Sequence, residues 1–238
     1  VSGVEDLGDL ELVLDLLHRT MMDDRSLLVL EPLRWALSLQ PEFLAWEQVP
    51  TVLPIWEACA KVLAAAGYSV DTGILSAEQY GVPQTRRRAI LVASREGRAR
   101  LPVPTHSRYH NISPDRLDDG LMPWVSMGEA LHRDPGSLVL RSNYSSGGST
   151  PGRTAAERGR TMRHGGQPSV TITGKFPQWS RENGNFRITI AEASVLQSFP
   201  ADYPWRGSLV EQGQQVGDAM PPLLARAIVQ ELLFPELG

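Results

Sequence analysis

Apolar residues recur at helical spacing in two stretches near the start of the chain, 10–18 and 25–39, the second with Leu28, Leu33 and Leu37 among its apolar positions. Pro41 breaks that pattern. Phe43-Leu44-Ala45-Trp46 then reads as a short buried strand ending at Glu47-Gln48-Val49-Pro50. An Ala-rich helix is expected over 54–66, stopped at Gly67. Strands are expected from Tyr68 to Leu75 and from Ala89 to Ser94. Strand, helix and strand in this rhythm indicate βαβ units, a mainly parallel sheet and an α/β fold.

From about Leu101 the pattern dissolves. Prolines, glycines, serines and scattered aromatics dominate to about Asn185, with short β-like runs at Ser137–Leu140 and Ser169–Thr173. This is too long for one loop of a compact domain, so it reads as a small, irregular and partly β lobe. Helical character returns at Ile190–Gln197 and at Pro222–Leu233. The expected organisation is a core domain over 1–100, a lobe over 101–186 and a return segment, 187–238, completing the core.

Composition narrows the function. In 238 residues no apolar run approaches the roughly 20 needed to cross a membrane. Cys59 is the only cysteine, which excludes intrachain disulfides and cysteine-rich zinc sites, and the cytoplasm is the default compartment. The net charge of −4 hides an uneven distribution. Residues 1–50 carry ten acids and three arginines, whereas 141–187 carry eight Lys/Arg (Arg141, Arg153, Arg158, Arg160, Arg163, Lys175, Arg181, Arg187) against Glu157 and Glu182. A basic segment on a neutral-to-acidic body suits local contact with a polyanion.

Arg86-Arg87-Arg88 stands directly against the apolar run Ala89–Ser94. Guanidinium groups beside a core need an anion, either a carboxylate of this protein or a ligand phosphate. Glu47 closes a strand at its carboxyl end, where open α/β sheets place ligands, and with Arg86 and Arg88 it forms either an acid and base-recognition cluster or a structural ion pair. Cys59 falls within a helix and reads as a small buried hydrophobe. The five histidines show no metal-ligand spacing, and no metal is expected. Gln215–Pro222 reads as a tight turn feeding a helix that starts with prolines.

Taken together, these segments resemble the DNA cytosine-5 methyltransferase family, from its fifth conserved motif to its last. Asp23-Asp24-Arg25-Ser26-Leu27-Leu28 is similar to the segment whose leucine packs near the cofactor, and Glu47-Gln48-Val49 stands where the family has Glu-Asn-Val. Gln84-Thr85-Arg86-Arg87-Arg88 matches a Gln-x-Arg-x-Arg motif. Arg187–Glu192 with Leu196–Pro200 resembles the penultimate motif, and Gln215–Pro222 the last, with Asp218 in place of the usual Asn. Residues 101–186 occupy the position of the target-recognition region, in which Pro168–Gly174 resembles a recurrent Thr-containing strand.

The resemblance implies part of a Rossmann-like sheet and S-adenosylmethionine as methyl donor. It implies double-stranded DNA as substrate, with the target cytosine flipped out of the duplex. It gives Glu47 the task of protonating N3 of the base, Arg88 contact with the flipped cytosine, and Arg86 the positioning of Glu47. Thr171 would touch the phosphate backbone, with Gln84, Arg163 and Thr173 as further DNA contacts. Leu28, Asp218, Ala219 and Met220 would line the cofactor pocket. Such enzymes, many of them from restriction–modification systems, begin with a glycine-bearing cofactor motif and a Pro-Cys dipeptide that supplies the nucleophile. Neither is in these residues, so the chain is expected to be the carboxyl-terminal half to two-thirds of a methyltransferase, inactive alone. A subunit of a split enzyme, completed by a second chain, and a DNA-binding remnant are the alternatives.

Overall fold

A computed structural model describes residues 28–137, 139–145, 160–174, 180–181 and 188–234. The expected helix over 10–18, the segment 23–27 and the basic residues Arg153, Arg158, Lys175 and Arg187 lie outside these. The elements in chain order are α1 (Glu31–Leu39), β1 (Phe43–Gln48), α2 (Leu53–Ala65), β2 (Ser69–Ser76), β3 (Arg87–Ser94), α3 (Met127–Ala130), β4 (Val139–Ser145), β5 (Arg160–His164), β6 (Ser180–Arg181), α4 (Ile190–Leu196), α5 (Leu209–Asp218) and α6 (Pro222–Leu233). No helix among the described residues is long and apolar enough to cross a membrane.

The contacts divide the chain into two compact units. The first takes the residues up to Leu75, Arg87–Val103 and those from Arg226; the second takes Ser76–Arg86 and Pro104–Ala225. These limits differ from those expected from the sequence, since 190–225 groups with the lobe.

The first unit is an α/β layer. Its sheet has the order β1-β3-β2, and β3 runs antiparallel to β1 in an unbroken register from Phe43 opposite Ser94 to Gln48 opposite Ala89. The expected parallel pattern therefore fails at β3. A parallel return needs a crossover, normally a helix, and only a 3-10 turn, Ala77–Tyr80, is formed between β2 and β3. Ala89 to Ala93 of β3 are essentially inaccessible, as expected of a strand with neighbours on both edges. α2 opens with Pro54 in its first turn, where the missing N–H costs nothing, and ends before Gly67, whose φ of +90° suits glycine. Its buried face (Ile55, Trp56, Cys59, Leu63) packs with Leu44, Leu91 and Ala93 of the sheet and Leu33 and Ala36 of α1. The Tyr68 hydroxyl donates to Pro41 O at 2.7 Å, tying the start of β2 to the start of β1.

The second unit has its own core of Met127, Leu140, Ile172, Ile188, Ala193, Leu196 and Val216. A three-stranded sheet of order β5-β4-β6 lies in this unit. The run 169–173, expected as a strand, forms only a parallel bridge between Ser169 and Gln84. α4 and α5 both start with capping boxes, Thr189 with Glu192 and Ser208 with Glu211, in which hydroxyl and carboxylate satisfy backbone N–H groups reciprocally. α5 is a correction to the expected turn: Gln215–Asp218 is the last turn of one helix, and Pro222 starts the next.

Candidate active site

Glu47 lies one residue before the end of β1 and Arg88 one after the start of β3. Because Glu47 pairs with Ile90, Arg88, two residues away along β3, faces the same side of the sheet. Arg88 Nε stands 2.5 Å from Glu47 Oε1, with the two side chains only 14% and 27% exposed. Oε1 is buried and accepts no hydrogen bond, so the guanidinium charge is what offsets its desolvation. Arg88 Nη1 also donates to Arg87 O at 2.8 Å, which leaves the guanidinium bridging the acid and its own strand. Arg87 is exposed, and Gln48 folds back so that its Oε1 accepts from Val49 N at 2.8 Å.

The family resemblance gives Arg86 the task of holding Glu47; among the described residues the ion pair that Glu47 makes is with Arg88. Arg86, 1% exposed in the second unit, donates from Nη1 to Ile172 O and from Nη2 to Gly217 O, both at 3.0 Å. Gln84 was expected on DNA, but it is fully buried. Its Nε2 donates to Leu196 O (3.1 Å) and Gln197 Oε1 (3.0 Å), and its Oε1 accepts from Ile172 N (2.7 Å). Both ends of its side-chain amide are thus engaged inside the second unit. Thr171 spends its hydroxyl proton on Thr85 O at 2.7 Å. A phosphate offers only acceptors, so Thr171 cannot donate to one while it makes this bond. Thr173 differs: its buried Oγ1 has no partner among the described residues.

Arg163 stacks over the Tyr109 ring at 4.6 Å and donates from Nη2 to Asn111 Oδ1 at 2.6 Å. Burial holds its pKa below the usual arginine value. Cys59 is wholly inaccessible, and burial pushes its thiol up to about 11, which makes it a poor nucleophile. Among the described residues, no group of three or more His, Cys, Asp or Glu could hold a metal ion.

The cofactor candidates fall in both units. In the first, Leu28 presents a 65% exposed side chain, suited to a flat apolar ligand face. In the second, Asp218 ends α5, exposed, with Oδ2 accepting from Gln214 Nε2 at 2.6 Å. Ala219 N–H is spent on Gln215 O, and Met220 is half-buried. A carboxylate at the negative end of a helix suits an ammonium and repels a ligand carboxylate. Within the second unit, Asp218 is therefore suited to the ammonium of an amino acid and not to its carboxylate.

The fold is of the methyltransferase class. The Dnmt2 methyltransferase of S. pombe superposes with a TM-score of 0.57 at 18% identity, over 92% of this chain and 74% of that one. A putative DNA modification methyltransferase encoded within an E. coli prophage gives 0.55 at 17% identity, over 88% and 74%. The chain belongs to the C-5 cytosine-specific DNA methylase family, whose model matches residues 17–233. Among curated relatives, the type II methyltransferase M1.HphI of Haemophilus parahaemolyticus is 30% identical over 234 residues, covering 90% of this chain and 63% of the relative. M.BspRI of Lysinibacillus sphaericus is 26% identical over 245 residues, covering 90% and 56%. The chain thus spans between about half and just under two thirds of these relatives.

Proposed function

We propose that this chain supplies the base-recognition half of a DNA cytosine-5 methyltransferase, acting on a cytosine flipped out of double-stranded DNA. The observation that supports this reading is the Glu47–Arg88 ion pair at the carboxyl end of β1, half-sheltered from water and of a size to engage one base edge. Glu47, protonated when the base enters, accepts from the exocyclic amine through one oxygen and delivers its proton from the other to N3 as a thiolate adds to C6. This spares the ring a full negative charge. The proton returns to Glu47 when the thiolate leaves. Arg88 then exchanges its contact with Glu47 for one with the base. S-adenosylmethionine supplies the methyl group for C5. Leu28 is the first unit's candidate for its apolar face; Ala219 and Met220, with Asp218 for its ammonium, are the second unit's candidates.

The thiolate comes from polypeptide outside these 238 residues, because their one cysteine, Cys59, is buried and protonated at neutral pH. In DNA binding, Arg163 and Thr173 keep the roles the resemblance gives them. Gln84, Arg86 and Thr171 act behind the contact surface. A cytoplasmic location is compatible with a DNA substrate.

Incubation with tritiated S-adenosylmethionine and cytosine-bearing duplex tests this reading. The chain alone gives background counts, and adding the part of a relative that it does not span restores transfer. Glu47→Gln abolishes the restored transfer. Incorporation by the chain alone, or restored transfer that is indifferent to Glu47→Gln, overturns it.

A further inference from the structure

Four stretches of the second unit meet around three buried polar side chains. Gln84 and Gln197 are fully inaccessible and Arg86 nearly so. Gln197 stands between two of these stretches: its Oε1 accepts from Gln84 Nε2 at 3.0 Å, while its Nε2 donates to Val216 O at 2.7 Å, with Ala219 O at 3.4 Å. Gln84 Oε1 in turn accepts from Ile172 N, and the Arg86 fork spans Ile172 O and Gly217 O. Backbone meets backbone at the same place. A Cβ on Gly217 would lie 2.1 Å from Gly174 N, and one on Gly174 would lie 2.2 Å from Gln214 Oε1. The carboxyl end of α5 is therefore pressed on residues 172–174, backbone on backbone at Gly217 and through the Gln214 side chain at Gly174. The polar side chains around the contact satisfy carbonyls that it would otherwise strand.

We propose that Gln197 is a positioning residue, whose side-chain amide fixes the carboxyl end of α5, carrying Asp218, Ala219 and Met220, against the segment carrying Thr171 and Thr173. This rests on the reading that 218–220 hold the cofactor. The chemistry required at 197 is narrow: an acceptor toward Gln84 and a donor toward Val216 O on one short, planar group. Gln197→Glu keeps the acceptor and turns a carboxylate on Val216 O. Protonation of the introduced carboxyl restores a donor, and burial raises the pH at which that occurs. Gln197→Met fills a similar volume and offers neither.

The experiment measures S-adenosylhomocysteine affinity by calorimetry and hydrogen exchange of the 209–219 segment. Both are read for the unsubstituted chain and the two variants, each combined with the part of a relative that it does not span, at about pH 8 and about pH 6, with circular dichroism as the check on folding. At the higher pH, Gln197→Glu is expected to weaken binding about tenfold, as loss of one buried hydrogen bond does, and to speed exchange in 209–219. At the lower pH, both effects reverse for Gln197→Glu and persist for Gln197→Met. The inference is overturned if exchange in 209–219 is unchanged in folded Gln197→Glu, or if no recovery accompanies the fall in pH. If the unsubstituted chain so combined binds no S-adenosylhomocysteine, the cofactor reading fails, while the exchange data still decide whether Gln197 fixes α5.

Discussion

Gly217→Ala sets two effects of opposite sign against each other. In an isolated helix the change stabilises by about 1 kcal/mol, because glycine pays the larger backbone entropy. At the end of α5, however, the new Cβ would lie 2.1 Å from Gly174 N and 2.3 Å from Thr173 C. Both are main-chain atoms, so no side chain can swing aside, and reaching an ordinary 3.4 Å contact requires the two segments to part by about 1.3 Å. Overpacking of this kind costs about 1–3 kcal/mol. Parting also stretches the Arg86 fork, whose bonds to Ile172 O and Gly217 O are both 3.0 Å, and loss of one charge-assisted bond adds about 1.5–3 kcal/mol. The net expectation is a loss of about 1.5–5 kcal/mol after the helical gain is subtracted. Urea unfolding followed by tryptophan fluorescence measures it. Gly97→Ala serves as control, because a Cβ there meets nothing within 4 Å and should change stability by less than about 0.5 kcal/mol. A Gly217→Ala protein as stable as the original would refute the close backbone contact and the clamp built around it.

Two further outcomes are expected. With its thiol pushed up to about 11 and no accessible surface, Cys59 should resist iodoacetamide at pH 8 in the native chain and react fully in urea; rapid native alkylation, read by mass, would contradict its placement. The Asp118 carboxyl is held below its usual range by the Arg108 N–H first and then by His110, which lies 2.9 Å away. A depressed carboxyl pKa stabilises fully above the unfolded value near about 4, and that stability is lost as pH falls through the lower folded value. Asp118→Asn should therefore flatten the acid limb of the stability–pH profile, and an unchanged limb would remove Asp118 from the account.

Much of this was legible in the chain. α2, β2, β3, α4 and α6 follow from hydrophobic period and from stop signals such as Gly67. Glu47 was placed at a strand end by the pattern that precedes it. Cys59 was set aside because its neighbours make it one more buried position of a helix. Strand direction was not legible, since period-two alternation reads the same both ways, and so β3 was expected parallel. α5 is not legible because two glycines and five polar residues blur its apolar face; the Ser208–Glu211 capping box is the available signal. The division of labour between Arg86 and Arg88 depends on register, which puts Arg88 on the face of Glu47 and starts β3 one residue beyond Arg86. Gln84 and Thr171 are polar residues in a motif, and only burial shows their hydrogen bonds to be directed inward.

The central claim is that Glu47 and Arg88 recognise a cytosine held outside the helix. It is tested most directly by the affinity of the chain for duplexes bearing one unpaired cytosine, or one unpaired thymine, opposite an abasic site. Cytosine offers an amine and an acceptor nitrogen where thymine offers a carbonyl and an N–H, so a Glu–Arg site discriminates between them. The account predicts cytosine favoured by about tenfold or more, consistent with a discrimination of about 1–3 kcal/mol for a good base contact, and loss of that preference in Glu47→Gln. Equal affinity for the two duplexes, or a preference untouched by Glu47→Gln, would contradict it.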